Sequence, residues 1–145
     1  MIQLPPDFKE FLRLLNSSQI DYLVIGGYAV NYYGYSRATA DLDIWIAIEP
    51  SNAARLAAVV NEFGFAQADA GLFLTPGSVI RMGTPPIRLE IRTTISGATF
   101  GDCFPRRITA EIDGVEINFI AVEDLRQNKK AAGRLKDQLD LQNLP

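Results

Sequence analysis

Two aspartates, Asp41 and Asp43, run straight into the apolar stretch Leu42, Ile44, Trp45, Ile46 within GYSRATADLDIWI. Carboxylates are costly to bury unless something pairs with them or binds them. Side chains alternate along a strand, so both acids face one way about 7 Å apart. Carboxylates that close repel, and one is protonated unless a cation lies between them. Oxygen ligands on a rigid strand suit magnesium, with manganese as the alternative ion; magnesium keeps several waters and takes a substrate phosphate as a further ligand. The spacing alone leaves a plainer reading open, in which Asp41 belongs to the preceding loop and Asp43 caps the sheet edge.

Other residues add to the pair. Gly26-Gly27 stands at a strand-to-helix turn, where glycine lets the backbone approach a ligand and a helix start offers free N–H groups to an anion. Arg37 and Thr39, just before the acids, could offset phosphate charge and bind phosphate or a metal-bound water, or could be solvated loop residues. PPIRLEIR alternates, with Ile87, Leu89 and Ile91 on one face and Arg88, Glu90 and Arg92 on the other. If that polar face adjoins the aspartates, Glu90 becomes a third acid, able to bind metal or take a proton from a hydroxyl. Lys129 shares a helical stripe with Val122, Leu125 and Ala132, where a lysine either snorkels to water or meets a buried anion. Arg134 and Lys136 are spaced from Asp137 and Asp140 as ordinary surface pairs.

The elements that must position these groups follow from periodicity. Phe8, Phe11, Leu12 and Leu15 predict a helix over 7–16, with Asp7 and Glu10 resembling a capping box. Tyr22–Ile25 reads as a buried strand, 28–33 as a short helix and 41–48 as a central strand. Pro50-Ser51 opens a helix with Leu56, Val59, Val60 and Phe63 inward, closed by Gly64. Residues 65–92 read as short strands split by turns at 75–77 and 84–86. RITAEI and VEINFI, joined by Asp113-Gly114, predict a hairpin. Residues 122–144 read as helix interrupted near Gly133. The expected fold is α/β (α+β): one domain over 1–145, a mixed sheet with helices packed on it and a C-terminal helical segment.

The 145 residues contain no histidine and one cysteine, Cys103. Histidine triads, histidine-ligated zinc and internal disulfides are therefore excluded, and transfer chemistry must use carboxylates, lysine, arginine or a hard metal ion. A net charge of −3 argues against a broad nucleic-acid-binding surface but allows local basic patches. The opening MIQLPPDFKEFLRLL lacks a signal-peptide layout and no apolar run is long enough for a bilayer, so a cytoplasmic protein without membrane contact is expected.

Gly26-Gly27, a spacer of 13 residues and then Asp41-Leu42-Asp43 resemble the signature of the DNA polymerase β-like nucleotidyltransferase superfamily. GGYAVNYYGYSRATADLDI is similar to its small bacterial members, including AbiEii-type toxins and antibiotic nucleotidyltransferases. The likeness continues through PPIRLEIRTTISGATF, DGVEINFIAVEDL and NKKAAGRLKDQLDL. It implies a nucleotidyltransferase fold and Mg2+-dependent transfer of a nucleoside monophosphate from a nucleoside triphosphate to a hydroxyl. By that resemblance Asp41, Asp43 and Glu90 are the metal-binding and catalytic acids. Gly26, Gly27, Arg37, Thr39 and Lys129 contact the nucleotide. The acceptor stays open between an RNA 3′ end, a partner protein and a small molecule, and a toxin–antitoxin role is one setting. A chain this short also suits a dimer or a partner chain. Two departures carry the alternative of a degenerate nucleotide-binding or interaction module. Tyr28 stands where a small residue is usual and could crowd the phosphate pocket, and Glu90 replaces an aspartate.

Overall fold

A computed structural model describes residues 2–39, 41–65, 68–84 and 87–145. The elements are α1 (Pro6–Ser17), β1 (Tyr22–Ile25), α2 (Gly26–Tyr32), β2 (Asp41–Ile46), α3 (Pro50–Phe63), β3 (Val79–Thr84), β4 (Ile87–Arg92), α4 (Phe100–Cys103), β5 (Ile108–Ile112), β6 (Val115–Phe119), α5 (Val122–Ala132) and α6 (Leu135–Asn143). The strands form one mixed sheet in the order β3-β4-β2-β1-β6-β5. β2 runs parallel to β4 and β1 parallel to β6, while the other neighbours are antiparallel.

The two strands with continuous apolar character lie in the middle. All of β1 is buried, as are Leu42, Ile44, Trp45 and Ile46 of β2. α1 seats Phe8, Phe11, Leu12 and Leu15 in the same core. A sheet buried on both faces needs such runs, and the site side of β2 is polar only at its first and third residues. Among the described residues no helix is long and apolar enough to cross a membrane.

Several boundaries differ from expectation, each for a local reason. α1 begins at Pro6 with Pro5 as its N-cap and no side-chain cap, so Asp7 lies inside the first turn and the capping box does not form. α2 begins at Gly26, because the glycine pair is itself the first turn of the helix. Glu49, rather than a residue of the Pro50-Ser51 pair, caps α3 by accepting from the Ser51 and Asn52 N–H groups. β2 ends at Ile46, and residues 70–73 form a 3-10 turn instead of a strand. Asp113 and Gly114 both take positive φ, at 52° and 82°, as a two-residue hairpin turn requires. Pro85 and Pro86, part of an expected turn, fall outside the described residues.

Asn52 ties α3 to the ends of the central strands. Its fully buried amide accepts from Asp21 N–H at 2.8 Å and donates to the Asp21 and Ala47 carbonyls at 3.2 and 3.1 Å. Asn52→Ala orphans buried backbone groups and is expected to cost about 2 kcal/mol of stability. Urea denaturation of the two proteins measures it, with an unchanged slope.

Candidate active site

The parallel register of β2 against β4 sets Asp41 opposite Arg88 and Asp43 opposite Glu90. All four side chains share one face of the sheet, and a carboxylate oxygen from each of Asp41, Asp43 and Glu90 lies within 4.8 Å of the others. The conditional reading of PPIRLEIR is thereby resolved: its polar face adjoins the aspartates. Glu90 is only 5% exposed, so its charge is largely shielded from water.

Three arginines offset part of this repulsion. Arg88 forms a two-pronged pair with Asp41, at 3.2 and 2.7 Å. Arg92 pairs with Glu90, and Arg81 reaches the same carboxylate at 3.7 Å. Asp43 has no ion pair among the described residues. Burial, and then the adjacent Glu90, push its carboxyl up from an ordinary aspartate value to about 6. This arrangement fits a hard divalent cation: the donors are all oxygen, and Asp43 is the one of the three acids without an ion pair among the described residues.

The glycine pair is explained by contact as well as conformation. Gly26 takes φ +66°, and a Cβ there would overlap the Asp43 carboxylate. A Cβ at Gly27 would overlap Thr39 Oγ1. Thr39 itself donates to the Asp41 carbonyl at 3.4 Å, so it braces the start of β2. Tyr28 does not crowd the turn. It is 8% exposed and packs edge-on against Phe8 in the core.

A cavity of about 500 Å³ lies over the acids and the glycine turn. Its far wall is α5 and α6, contributing Lys129, Arg134 and Lys136, with Arg37 beside them. Lys129 takes the second of its two alternatives and meets buried anions: Asp137 at 3.3 Å and Asp140 at 3.1 Å. Arg37 also faces Asp140, donating through Nε and Nη2 at 2.9 and 3.1 Å. The expectation of ordinary surface pairs on α6 is therefore corrected. Arg134 does bind Asp137 at 2.7 Å, but Asp137 and Asp140 are buried beneath the cavity wall. Burial opposes the charge on Asp137, yet Arg134 and Lys129 hold its carboxyl below the ordinary value.

The structure thus brings Asp41, Asp43, Glu90, Gly26, Gly27, Arg37 and Lys129 to one cavity, with Thr39 behind the turn. Asp137 and Asp140 are functional-site neighbours that periodicity missed. Residue spacing carried no signal for them, because Leu135 and Leu139, four apart, read as an inward stripe, yet they stand 84% and 51% exposed while the two aspartates turn inward.

Comparison with known proteins agrees with this geometry. No curated protein matches the chain in sequence. Among solved structures, a protein of Thermotoga maritima provisionally designated a nucleotidyltransferase superposes with a TM-score of 0.64 at 14% identity, over 97% of this chain and 93% of that one. ANT(2″)-Ia, solved with adenylyl-2″-tobramycin, gives 0.58 at 14% identity over 94% and 84%. An antigenic nucleotidyltransferase-like protein from Paracoccidioides brasiliensis gives 0.57 at 16% over 94% and 71%. These likenesses establish the nucleotidyltransferase fold. The sequence profile of a family described as nucleotidyl transferases of unknown function matches residues 6–144, and the chain belongs to that family.

Proposed function

We propose that the cavity binds a nucleoside triphosphate and transfers its nucleoside monophosphate to an acceptor hydroxyl, with a divalent ion, Mg2+ or Mn2+, held by Asp41, Asp43 and Glu90. The observation that carries this reading is the convergence of the three carboxylates beside the glycine turn and a cationic wall. The ion would polarise the reacting phosphate and offset charge on the attacking and leaving oxygens.

The chain's own residues would do the rest. Gly26 and Gly27 leave the backbone open to the phosphates, since neither carries a side chain into the cavity. Lys136, exposed on the cavity wall, and Arg37, anchored by Asp140, offer positive charge to the departing pyrophosphate. Glu90 accepts the acceptor's proton as its oxygen bonds to the α-phosphorus, and the bond from that phosphorus to the bridging oxygen breaks. Positioning and electrostatics dominate, which suits a chain without histidine. Against the degenerate-module alternative, Tyr28 lies in the core away from the glycine turn, and Glu90, though one methylene longer than an aspartate, converges with Asp41 and Asp43.

Transfer of label from α-labelled nucleoside triphosphates to cellular RNA, protein and small molecules tests the reading. Asp41→Ala, Asp43→Ala and Glu90→Gln are each expected to lower transfer by about 100-fold or more while the protein stays folded. Label transfer unaffected by all three would sink it.

A pH dependence follows from the raised Asp43 carboxyl. Protons compete with metal below about pH 6. Mn2+ affinity, measured by the EPR signal of free ion, should fall by about tenfold per unit there and level off above it. Asp43→Asn should flatten the profile as well as weaken binding.

A further inference from the structure

A second cavity, of about 760 Å³, lies between α2, the segment leading into β2 and the turn of the β5–β6 hairpin. Two residues form the partition between it and the catalytic cavity. Arg37 lines both. Thr39 lines the second and packs against Gly27, which lines the first. A space of this size holds a small organic molecule.

The lining carries hydrogen-bonding groups that the fold leaves unused. Tyr28 is 8% exposed, with its ring edge-on to Phe8, and its hydroxyl has no hydrogen-bond partner among the described residues. That hydroxyl is not sealed in the core and opens on the second cavity. Burial pushes the phenol above its ordinary pKa, so it remains a neutral donor. A buried hydroxyl without a partner forfeits free energy that a ligand can restore. Asn31 spends its amide oxygen on the Arg37 N–H at 3.1 Å, which leaves its amide nitrogen to the same space.

Charge selects what enters. Arg37, the cation of this lining, is held by Asp140 at 2.9 Å, so no unpaired cation waits for a phosphate or a carboxylate. Of the two acids that line the cavity, Asp113 pairs with Lys9 at 3.1 Å, whereas Glu111 has no ion pair among the described residues. Glu111 also stands opposite Glu116 in the hairpin register, a like-charge pair that a nearby cation would relieve. The rings of Tyr28 and Tyr32 favour a flat body carrying positive charge.

We propose that this cavity is an effector site for a hydroxyl-bearing aromatic amine. The ammonium pairs with Glu111, the ring lies by Tyr32, and the hydroxyl meets Tyr28 and Asn31. Occupancy reaches the metal site through the partition. A ligand there holds the segment from Gly34 to Thr39, keeping Arg37 on Asp140 and Thr39 on the Asp41 carbonyl. The binding is independent of the nucleotidyl-transfer reading, while the coupling rests on the metal-binding part of it.

The test uses the full chain, labelled with nitrogen-15, and two probes: tyramine and its carboxylate counterpart, 4-hydroxyphenylacetate. Tyramine should shift the amide signals of Tyr28, Asn31, Ser36 and Glu111 and saturate, and the carboxylate should not. Tyr28→Phe and Glu111→Gln should each weaken tyramine by about fivefold. Glu111→Gln changes an exposed residue, so the test survives if Tyr28→Phe disturbs the core. Saturating tyramine should raise Mn2+ affinity, read from the EPR signal of free ion, by about fivefold, and Mn2+ should tighten tyramine by the same factor. Shifts confined to the catalytic cavity, no shifts at all, or equal binding of the carboxylate would overturn the site. Tyramine bound with Mn2+ affinity unchanged would overturn the effector role, as would label transferred to tyramine from a nucleoside triphosphate, which would make the cavity an acceptor site. Mn2+ that fails to bind would overturn the metal reading above, and the coupling with it.

Discussion

Parallel pairing of β2 with β4 holds Asp43 beside Glu90, with Asp41 two residues along the same face. Three carboxylates with oxygens within 4.8 Å of one another repel strongly in a half-buried setting. The surroundings are organised around that repulsion. Arg88 and Arg92 each take one acid, Arg81 leans toward Glu90, and Asp43 is left to the proton or to a metal ion. The apolar strands buried on both faces keep the register rigid, because a slip of one residue would turn the acids into the core.

The C-terminal helix presents the reverse arrangement. α6 turns Asp137 and Asp140 inward and leaves Leu135 and Leu139 in water. Those two buried aspartates hold Lys129, Arg37 and Arg134 at the rim of the cavity. Buried ion pairs of this kind are poor sources of net stability, since desolvation offsets most of the attraction. Their effect is geometric. Removing one aspartate would leave Lys129 with a single partner and free Arg37 or Arg134 from its anchor, so the helix depends on charge pairing where most helices depend on an apolar stripe.

Much of this was readable from residue order. Alternation in DLDIWI and IRLEIR placed the acids on strands, and the Asp113-Gly114 pair marked its hairpin, because both signals are local. What escaped was whatever depends on contacts distant in the chain. Whether Glu90 meets Asp43 is a matter of which strands pair, which spacing does not encode. Lys129 in an apolar stripe left open whether it snorkelled or met a buried anion, and Asp137 and Asp140 looked like surface pairs because their spacing from Arg134 and Lys136 fits that simpler use. Tyr28 was misjudged for the same reason, since the first turn of α2 rotates its ring toward Phe8 and away from the cavity.

The central claim is that Asp41, Asp43 and Glu90 act together on one ionic centre. A crystal structure with Mn2+ and a non-hydrolysable nucleoside triphosphate, with the ion located by anomalous scattering, tests it most directly. The account predicts manganese within ligand distance of all three carboxylates, bridging to the phosphates, with the glycine turn against the triphosphate. Manganese held elsewhere, or by the aspartates alone with Glu90 still closed on Arg92, would contradict it.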